Sequence, residues 1–483
     1  MVSATAAMSF RAAIRLSCMS RPSTERANSI ATLLAEQSLR VIAPGDAEYD
    51  TARRLFYGGL DRHPAAIVRP ANAADVGRII RFARGRGLEL AVRSGGHSAA
   101  GHSTTEGGIV LDLSAMKRLD IDVEHRIAWA ETGLTAAELT TALGAHGLAI
   151  GFGDTGSVGI GGITLGGGVG YLGRKFGLTI DSLLAADIVT ADGQLLRADA
   201  TSHPDLFWAI RGGGGNFGVA TRFRYRLHEM PQIVGGMLLL PATIETIVGF
   251  IAAAEAAPEE LSAIANVMIA PPMPFVPAEF HGKLGILALM CYAGDAEAGK
   301  REMAPFRALA TPIVDMVKPM SYAEMYPPED ESYHPVGPVR TMFVERIDRD
   351  AARTIIERIE EHMRNSKAQL AVAQLRVLGG AIARVPADAT AYAHRDSRIM
   401  VNVAALYDPS TDDATAHEAW VDACAAALRQ GDSGSYVNFL TNEGPARVRA
   451  AYPGRTWDRL VAIKRRYDPT NLFRLNQNIP PGS

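Results

Sequence analysis

The chain has 483 residues, 47% hydrophobic and 21% charged, with a net charge of −3 at pH 7. Such a length exceeds what one hydrophobic core usually holds, so two domains are expected, and no basic stripe interleaved with aromatics marks nucleic acid as a partner. No apolar run reaches the ~20 residues that cross a bilayer, and Cys18, Cys291 and Cys424 supply neither a disulfide framework nor a Cys/His metal site, a usage that fits a reducing cytoplasm.

Residues 1–44 read as an extension and a lead-in helix. Arg11, Arg15 and Arg21 precede the first acid, Glu25, yet no sustained apolar stretch or twin arginine follows. The segment is expected to be a frayed extension, with Met8 and Met19 as alternative starts. Val76, Ile79, Ile80 and Ala83 then recur at helical spacing, which predicts an amphipathic helix from Ala73 to Arg86. A strand carrying Leu88, Leu90 and Val92 delivers the chain into Arg93-Ser94-Gly95-Gly96-His97-Ser98. Missing side chains there let backbone N–H groups approach an anionic ligand, and the histidine is placed to act on it. A glycine turn with a solvated histidine is the alternative for this loop alone.

Gly107-Gly108-Ile109-Val110-Leu111-Asp112-Leu113-Ser114 reads as a turn and a buried strand. The glycine clusters Gly156-Ser157-Val158-Gly159-Ile160-Gly161-Gly162 and Gly166-Gly167-Gly168-Val169-Gly170 follow, then Lys175-Phe176-Gly177-Leu178. A strand from Asp181 to Thr190 closes on an Asp192-Gly193 turn. Gly213-x-Gly215-x-x-Gly218 and Gly151-x-Gly153-x-x-Gly156 match the Rossmann pattern by letter, but that pattern needs a strand before it and a helix after it. Val219, Thr221, Phe223 and Tyr225 alternate with arginines, so a strand follows the first; more glycines follow the second. A Rossmann unit is not expected.

Beyond residue 230 the composition becomes ordinary. Strands are predicted near Ile264–Ile269, Leu284–Cys291, Leu370–Leu378 and Ile399–Tyr407, with helices over Ala351–Met363 and His417–Arg429. The last part carries Tyr436-Val437-Asn438, then Tyr467-Asp468-Pro469-Thr470-Asn471-Leu472-Phe473, and closes on Asn476-Gln477-Asn478-Ile479-Pro480-Pro481.

Taken in order, the segments at 93–98, 107–114, 156–170, 175–178, 205–218, 436–438 and 467–481 resemble the berberine bridge enzyme-like flavoprotein oxidases of the vanillyl-alcohol oxidase and p-cresol methylhydroxylase superfamily. The likeness covers residues 45–483 and is specific as a set, not motif by motif. It implies an α+β fold: a p-cresol methylhydroxylase-type FAD-binding domain of two subdomains, and an inserted substrate domain with an antiparallel sheet covered by helices. The expected boundaries are 45–229 for the FAD domain, 230–435 for the insert and 436–483 for the returning segment.

The resemblance assigns roles residue by residue. His97 is similar to the histidine that bonds through a ring nitrogen to the 8α-methyl of FAD. Thr155 stands where bicovalent members carry a cysteine bonded to flavin C6; a hydroxyl is a far weaker nucleophile than a thiolate, so a single link is expected. Val158 resembles a position beside the flavin where valine accompanies reaction with O2. Ile163 and Val169 depart from the histidine and tyrosine of many relatives, leaving the flavin face more apolar. Arg93, Ser94, Gly95, Gly96, Ser98, Gly156, Gly161, Gly162, Gly166, Gly168, Gly218, Val219, Asn438, Asn476 and Asn478 complete the expected cofactor contacts. Tyr436 is the expected catalytic residue, coupling deprotonation of the substrate to hydride transfer. Asn402 resembles a position that supplies glutamate or glutamine in relatives, although an amide orients a substrate and is no base.

The implied reaction is oxidation of a small organic substrate (alcohol, sugar, amine or natural product), with O2 reduced to H2O2. A dehydrogenase with another acceptor, a tailoring enzyme forming a ring oxidatively and a non-enzymatic flavin-binding protein stay open at this point, as does the oligomeric state.

Overall fold

Strand pairing and the paths of the glycine loops decide where the candidate residues meet. The structure, a computed structural model, is described for residues 24–482 apart from 271, 331, 432 and 433, so the alternative starts and Cys18 lie outside the described residues. A lead-in helix spans Thr24–Ala35. The first sheet has four strands in the order Arg40–Ile42, Ala66–Arg69, Ile109–Asp112, Leu90–Arg93; the last three run parallel and the first antiparallel. The amphipathic helix Ala73–Gly85 forms the crossover. Asn72 starts it, its side-chain carbonyl accepting the N–H groups of Ala74 and Asp75, which satisfies donors that a helix start leaves bare. Val76, Ile79, Ile80 and Ala83 face the sheet.

A second, antiparallel sheet of five strands has Val219–Arg226, the strand predicted after Gly218, at its centre. The other glycine pattern is preceded by the two-residue strand Leu148–Ala149, paired antiparallel with His228–Glu229, and followed by the seven-residue helix Ile160–Gly166. The antiparallel pairing removes the βαβ unit a Rossmann site requires. The helix Arg455–Tyr467 packs Leu460, Ile463 and Tyr467 onto this sheet, so the end of the chain returns to its early part. Buried Lys464 donates to Asp468 at 2.8 Å and to the carbonyls of Asn216 at 2.8 Å and Phe473 at 3.3 Å. Asp468 in turn accepts the N–H groups of Leu472 and Phe473, each at 2.8 Å. The Tyr467–Phe473 motif is thus a clasp.

The third large sheet has eight antiparallel strands between Ile233 and Leu406. Alternation along each strand sorts its faces. Ala371, Ala373, Leu375 and Val377 pack beneath the helices Ile244–Ala256, Arg349–Asn365 and Ala414–Leu428. The last of these begins three residues before the predicted His417, because Asp413 caps it by accepting the Thr415 N–H at 2.7 Å. The opposite face, with Ile264, Phe343 and Met400, meets the glycine loops. The fold is α+β.

Candidate active site

Two glycine loops meet backbone to backbone. A Cβ on Gly95 would lie 2.2 Å from the Gly159 nitrogen, and one on Gly159 would lie 2.1 Å from Ser94 Oγ. Either distance is far inside van der Waals contact, so these glycines let one loop cross the other as well as leaving N–H groups bare. Ser94 Oγ also accepts the Gly161 N–H at 3.3 Å and donates to the Thr132 carbonyl at 2.5 Å. The crossing loops form one end of a cavity enclosing about 1510 Å³ of empty space, including its open mouth. Gly214, Gly215, Asn216, Gly218 and Val219 line another wall, and Asn476 and Gln477 close it from the C-terminal segment.

Of the expected contacts, Ser94, Gly95, Gly96, His97, Ser98, Thr155, Val158, Gly161, Gly162, Gly218, Val219, Asn438, Asn476 and the catalytic candidate Tyr436 line this cavity. Five cofactor residues and Asn402 do not. Arg93 turns behind its loop and donates to Asp112 at 3.0 Å, next to Arg69. Gly156 instead makes room for another chain segment, since a Cβ there would lie 3.1 Å from Tyr326 and 3.3 Å from the Glu329 carboxylate. Gly166 makes room for Asn438, whose Oδ1 would sit 1.9 Å from its Cβ. Gly168, at φ +82°, contributes its N–H to Tyr436. Asn478 is half-buried outside the wall, its Oδ1 buried without a partner among the described residues. Asn402 sits on the inner face of the eight-stranded sheet, in register with Gln374 and Thr341, with Oδ1 likewise unpartnered. Strand phase puts it on the inner face, but it is not among the residues that line the cavity.

His97 stacks on Phe56 with ring centroids 4.1 Å apart, and its Nε2 lies 2.9 Å from Ser157 Oγ. Burial lowers its pKa to about 4, so the imidazole is neutral at pH 7. Tyr436 is fully buried. Its hydroxyl oxygen accepts the N–H of Gly168 at 2.9 Å, that of Val169 at 3.3 Å and the amide N–H of Asn438 at 2.9 Å. Among the described residues the oxygen meets three donors and no acceptor. Burial pushes its pKa up, partly offset by those donors and by nearby Arg376.

Sequence reasoning missed an inner-face network. Arg376 donates to Asp154 on the Thr155 loop at 2.5 Å and to Gln374 at 2.9 Å, and Gln374 donates to Asn266 at 2.8 Å. The guanidinium lies 5.1 Å from the Phe439 ring, which lines the cavity. Polar residues two apart in the otherwise apolar strand Leu370–Val377 were the available signal.

The residues present fit FAD. Gly95, Gly96, Gly161, Gly162, Gly214 and Gly215 put backbone in the cavity walls, where a phosphate can approach closely, and a Cβ on Gly162 would meet nothing within 4 Å and project into open space. Ile163, Leu165 and Val169 give it an apolar stretch suited to a flat ring.

Residues 64–199 match a family model described as an FAD binding domain, and residues 435–480 match one described as berberine and berberine like. The (R)-6-hydroxynicotine oxidase of Paenarthrobacter nicotinovorans is 30% identical over 465 residues, covering 94% of this chain and 99% of that protein. The xylooligosaccharide oxidase of Thermothelomyces thermophilus is 30% identical over 497 residues, covering 96% and 97%. Among solved structures, 6-hydroxy-D-nicotine oxidase from Arthrobacter nicotinovorans superposes with a TM-score of 0.82 at 26% identity, over 92% of this chain and 98% of that one. No helix among the described residues is long and apolar enough to cross a membrane. With the glycine-walled cavity, the Tyr436-Val437-Asn438 motif beside it and full-length relatives at this identity, the chain belongs to the berberine bridge enzyme-like FAD-linked oxidoreductases and is an FAD-dependent enzyme that oxidises a small organic substrate.

Proposed function

We propose that this enzyme holds FAD through one covalent bond, at His97, and oxidises a small polar substrate at a C–H bond bearing oxygen or nitrogen, with O2 as electron acceptor. When bound, FAD supplies the two-electron acceptor for that C–H bond and passes the electrons to O2, giving H2O2. The observation that carries the reading is Tyr436, whose oxygen meets three N–H donors. A phenolate is stabilised by such a cradle, as an oxyanion is by converging donors, and a phenolate can take the proton of a substrate O–H or N–H group. Ile163 and Val169 keep the surroundings apolar, so Tyr436 has no polar competitor at those two positions. Thr155, not cysteine, lines the cavity and supports the single link; Val158 in the same wall supports O2 access. The inner-face network of Arg376, Asp154, Gln374 and Asn266 is neutral overall and rich in amides, which suits a substrate recognised by hydroxyl, carbonyl or ring-nitrogen groups. Alcohols, sugars and cyclic amines are the classes to test, and the relatives named above act on a hydroxynicotine and on xylooligosaccharides.

The test is anaerobic bleaching of the flavin across a panel of such compounds, followed by admission of air and a peroxide assay. Bleaching by at least one class and rapid reoxidation with peroxide are expected. A flavin that no member bleaches refutes the substrate reading, and slow reoxidation in air refutes the oxidase reading. For the link, acid-denatured protein is digested and the flavin-bearing peptide sequenced; free flavin, or a peptide lacking His97, refutes it.

A further inference from the structure

Glu329 belongs to the connection leading out of the eight-stranded sheet, yet it ends on the flavin loop. Tyr326 anchors that connection by donating to the Gly153 carbonyl at 2.9 Å. The Ser157 N–H then donates to Glu329 Oε1 at 2.9 Å, which pins the carboxylate so that Oε2 meets Ser157 Oγ. Ser157 Oγ is also 2.9 Å from His97 Nε2. Gly156 leaves room beside the carboxylate, where a Cβ would also crowd Ala137 and Tyr326 at 3.1 Å.

The protons in this chain can be assigned. An ionised carboxylate only accepts, so the single Ser157 hydroxyl proton points to Glu329. Ser157 Oγ must therefore accept from His97, which makes Nε2 the protonated nitrogen and leaves the lone pair on Nδ1. Glu329 is solvent-exposed, whereas His97 lies against Phe56 in a wall where burial disfavours an imidazolium. The three groups connect a half-buried imidazole nitrogen to bulk water.

We infer that Ser157 and Glu329 are the proton exit for attachment of FAD to His97, with Nδ1 as the linking atom. The inference rests on the single link at His97 proposed above. In the step, a bond forms between Nδ1 and the 8α carbon and one C–H bond of that carbon breaks. Its proton is released, and the electron pair stays on the ring system until O2 takes it. The Nε2 proton passes to Ser157 Oγ as the Ser157 proton passes to Glu329 and on to water. The two released protons and the electron pair account for one H2O2 per link formed. Without an exit the new imidazole would be trapped as a cation in a site that disfavours one. Both residues act through His97 and are positioning and proton-carrying groups.

The experiment uses the full chain made in flavin-starved cells, mixed with FAD in air. Covalent flavin is followed by in-gel fluorescence after acid denaturation, and non-covalent FAD affinity is measured in parallel. Glu329→Gln keeps the contact to the Ser157 N–H but cannot take a proton; it is expected to slow linkage ~10²-fold, the lower end of general-base effects, with unchanged FAD affinity. Ser157→Ala should do the same. Rising concentrations of a buffer base at fixed pH should speed linkage in both variants and not in the wild type, a response that a merely structural role does not produce. Nuclear magnetic resonance of the released histidyl-flavin should show the Nδ1 isomer. Linkage of Glu329→Gln at the wild-type rate, slow linkage that ignores buffer base, or an Nε2-linked product overturns the proton exit while His97 attachment stands. A wild type with no covalent flavin overturns both.

Discussion

Replacing Tyr436 by phenylalanine deletes one oxygen and leaves three N–H groups without their acceptor. Asn438 keeps a partner, because its amide also donates to the Ile163 carbonyl at 3.1 Å. The loss therefore falls on the backbone N–H groups of Gly168 and Val169, at ~1–3 kcal/mol for each buried donor left unpaired, so roughly 2–6 kcal/mol in total if no water enters. Catalysis should fall further. Loss of a general base typically costs ~10²–10⁴-fold, read as the anaerobic rate of flavin reduction by the best substrate of the panel. Burial holds the Tyr436 pKa above its usual 10, so the wild-type reductive rate should climb as pH rises through the alkaline range, and the variant should not. Urea unfolding and flavin absorbance separate the two effects. A variant that keeps its flavin, loses the expected stability and still reduces at the wild-type rate would show that Tyr436 only braces the Gly168–Val169 turn, and the role of base would fail.

Val158→Leu adds a methylene to the cavity wall and should slow reoxidation in air while leaving reduction by substrate nearly unchanged; equal slowing of both half-reactions, measured by stopped-flow, would refute a role in O2 access. Gly95→Ala puts a Cβ 2.2 Å from the Gly159 nitrogen, a backbone atom that cannot turn aside, so FAD content of the purified protein should drop sharply; normal content would mean that the loops part freely. Acid should destabilise the fold through its histidines: His97, His102 and His228 are each lowered from 6.5 to about 4, chiefly by burial. Between those values the unfolded chain binds protons the folded one refuses, so stability is full above about pH 6.5 and is lost as pH falls towards 4, by up to ~1.4 kcal/mol per histidine per pH unit. A denaturant midpoint that stays flat from pH 7 to 4.5 would contradict this; with His97 linked to flavin, the remaining two histidines should still produce the slope.

What the sequence determined by itself is local. The helix over Ala73–Gly85 and the strand after Gly218 follow from apolar periodicity, because the burial of one face is written into residues a few positions apart. The glycine clusters were recognisable for the same reason, since a missing Cβ is a property of one residue. Why each is glycine was not: Gly95 admits the Gly159 backbone, Gly156 admits Tyr326 and Gly166 admits Asn438, all partners distant in sequence. Register and crossover alone bring Arg376 to Asp154, 222 positions away, and Glu329 to Ser157, 172 positions away. Spacing to neighbouring motifs nominated Asn402, which the folded chain leaves on the inner sheet face outside the cavity lining. A short polar side chain in a strand carries no local mark of the loop it will face, because that depends on where two separately formed sheets come to rest against each other.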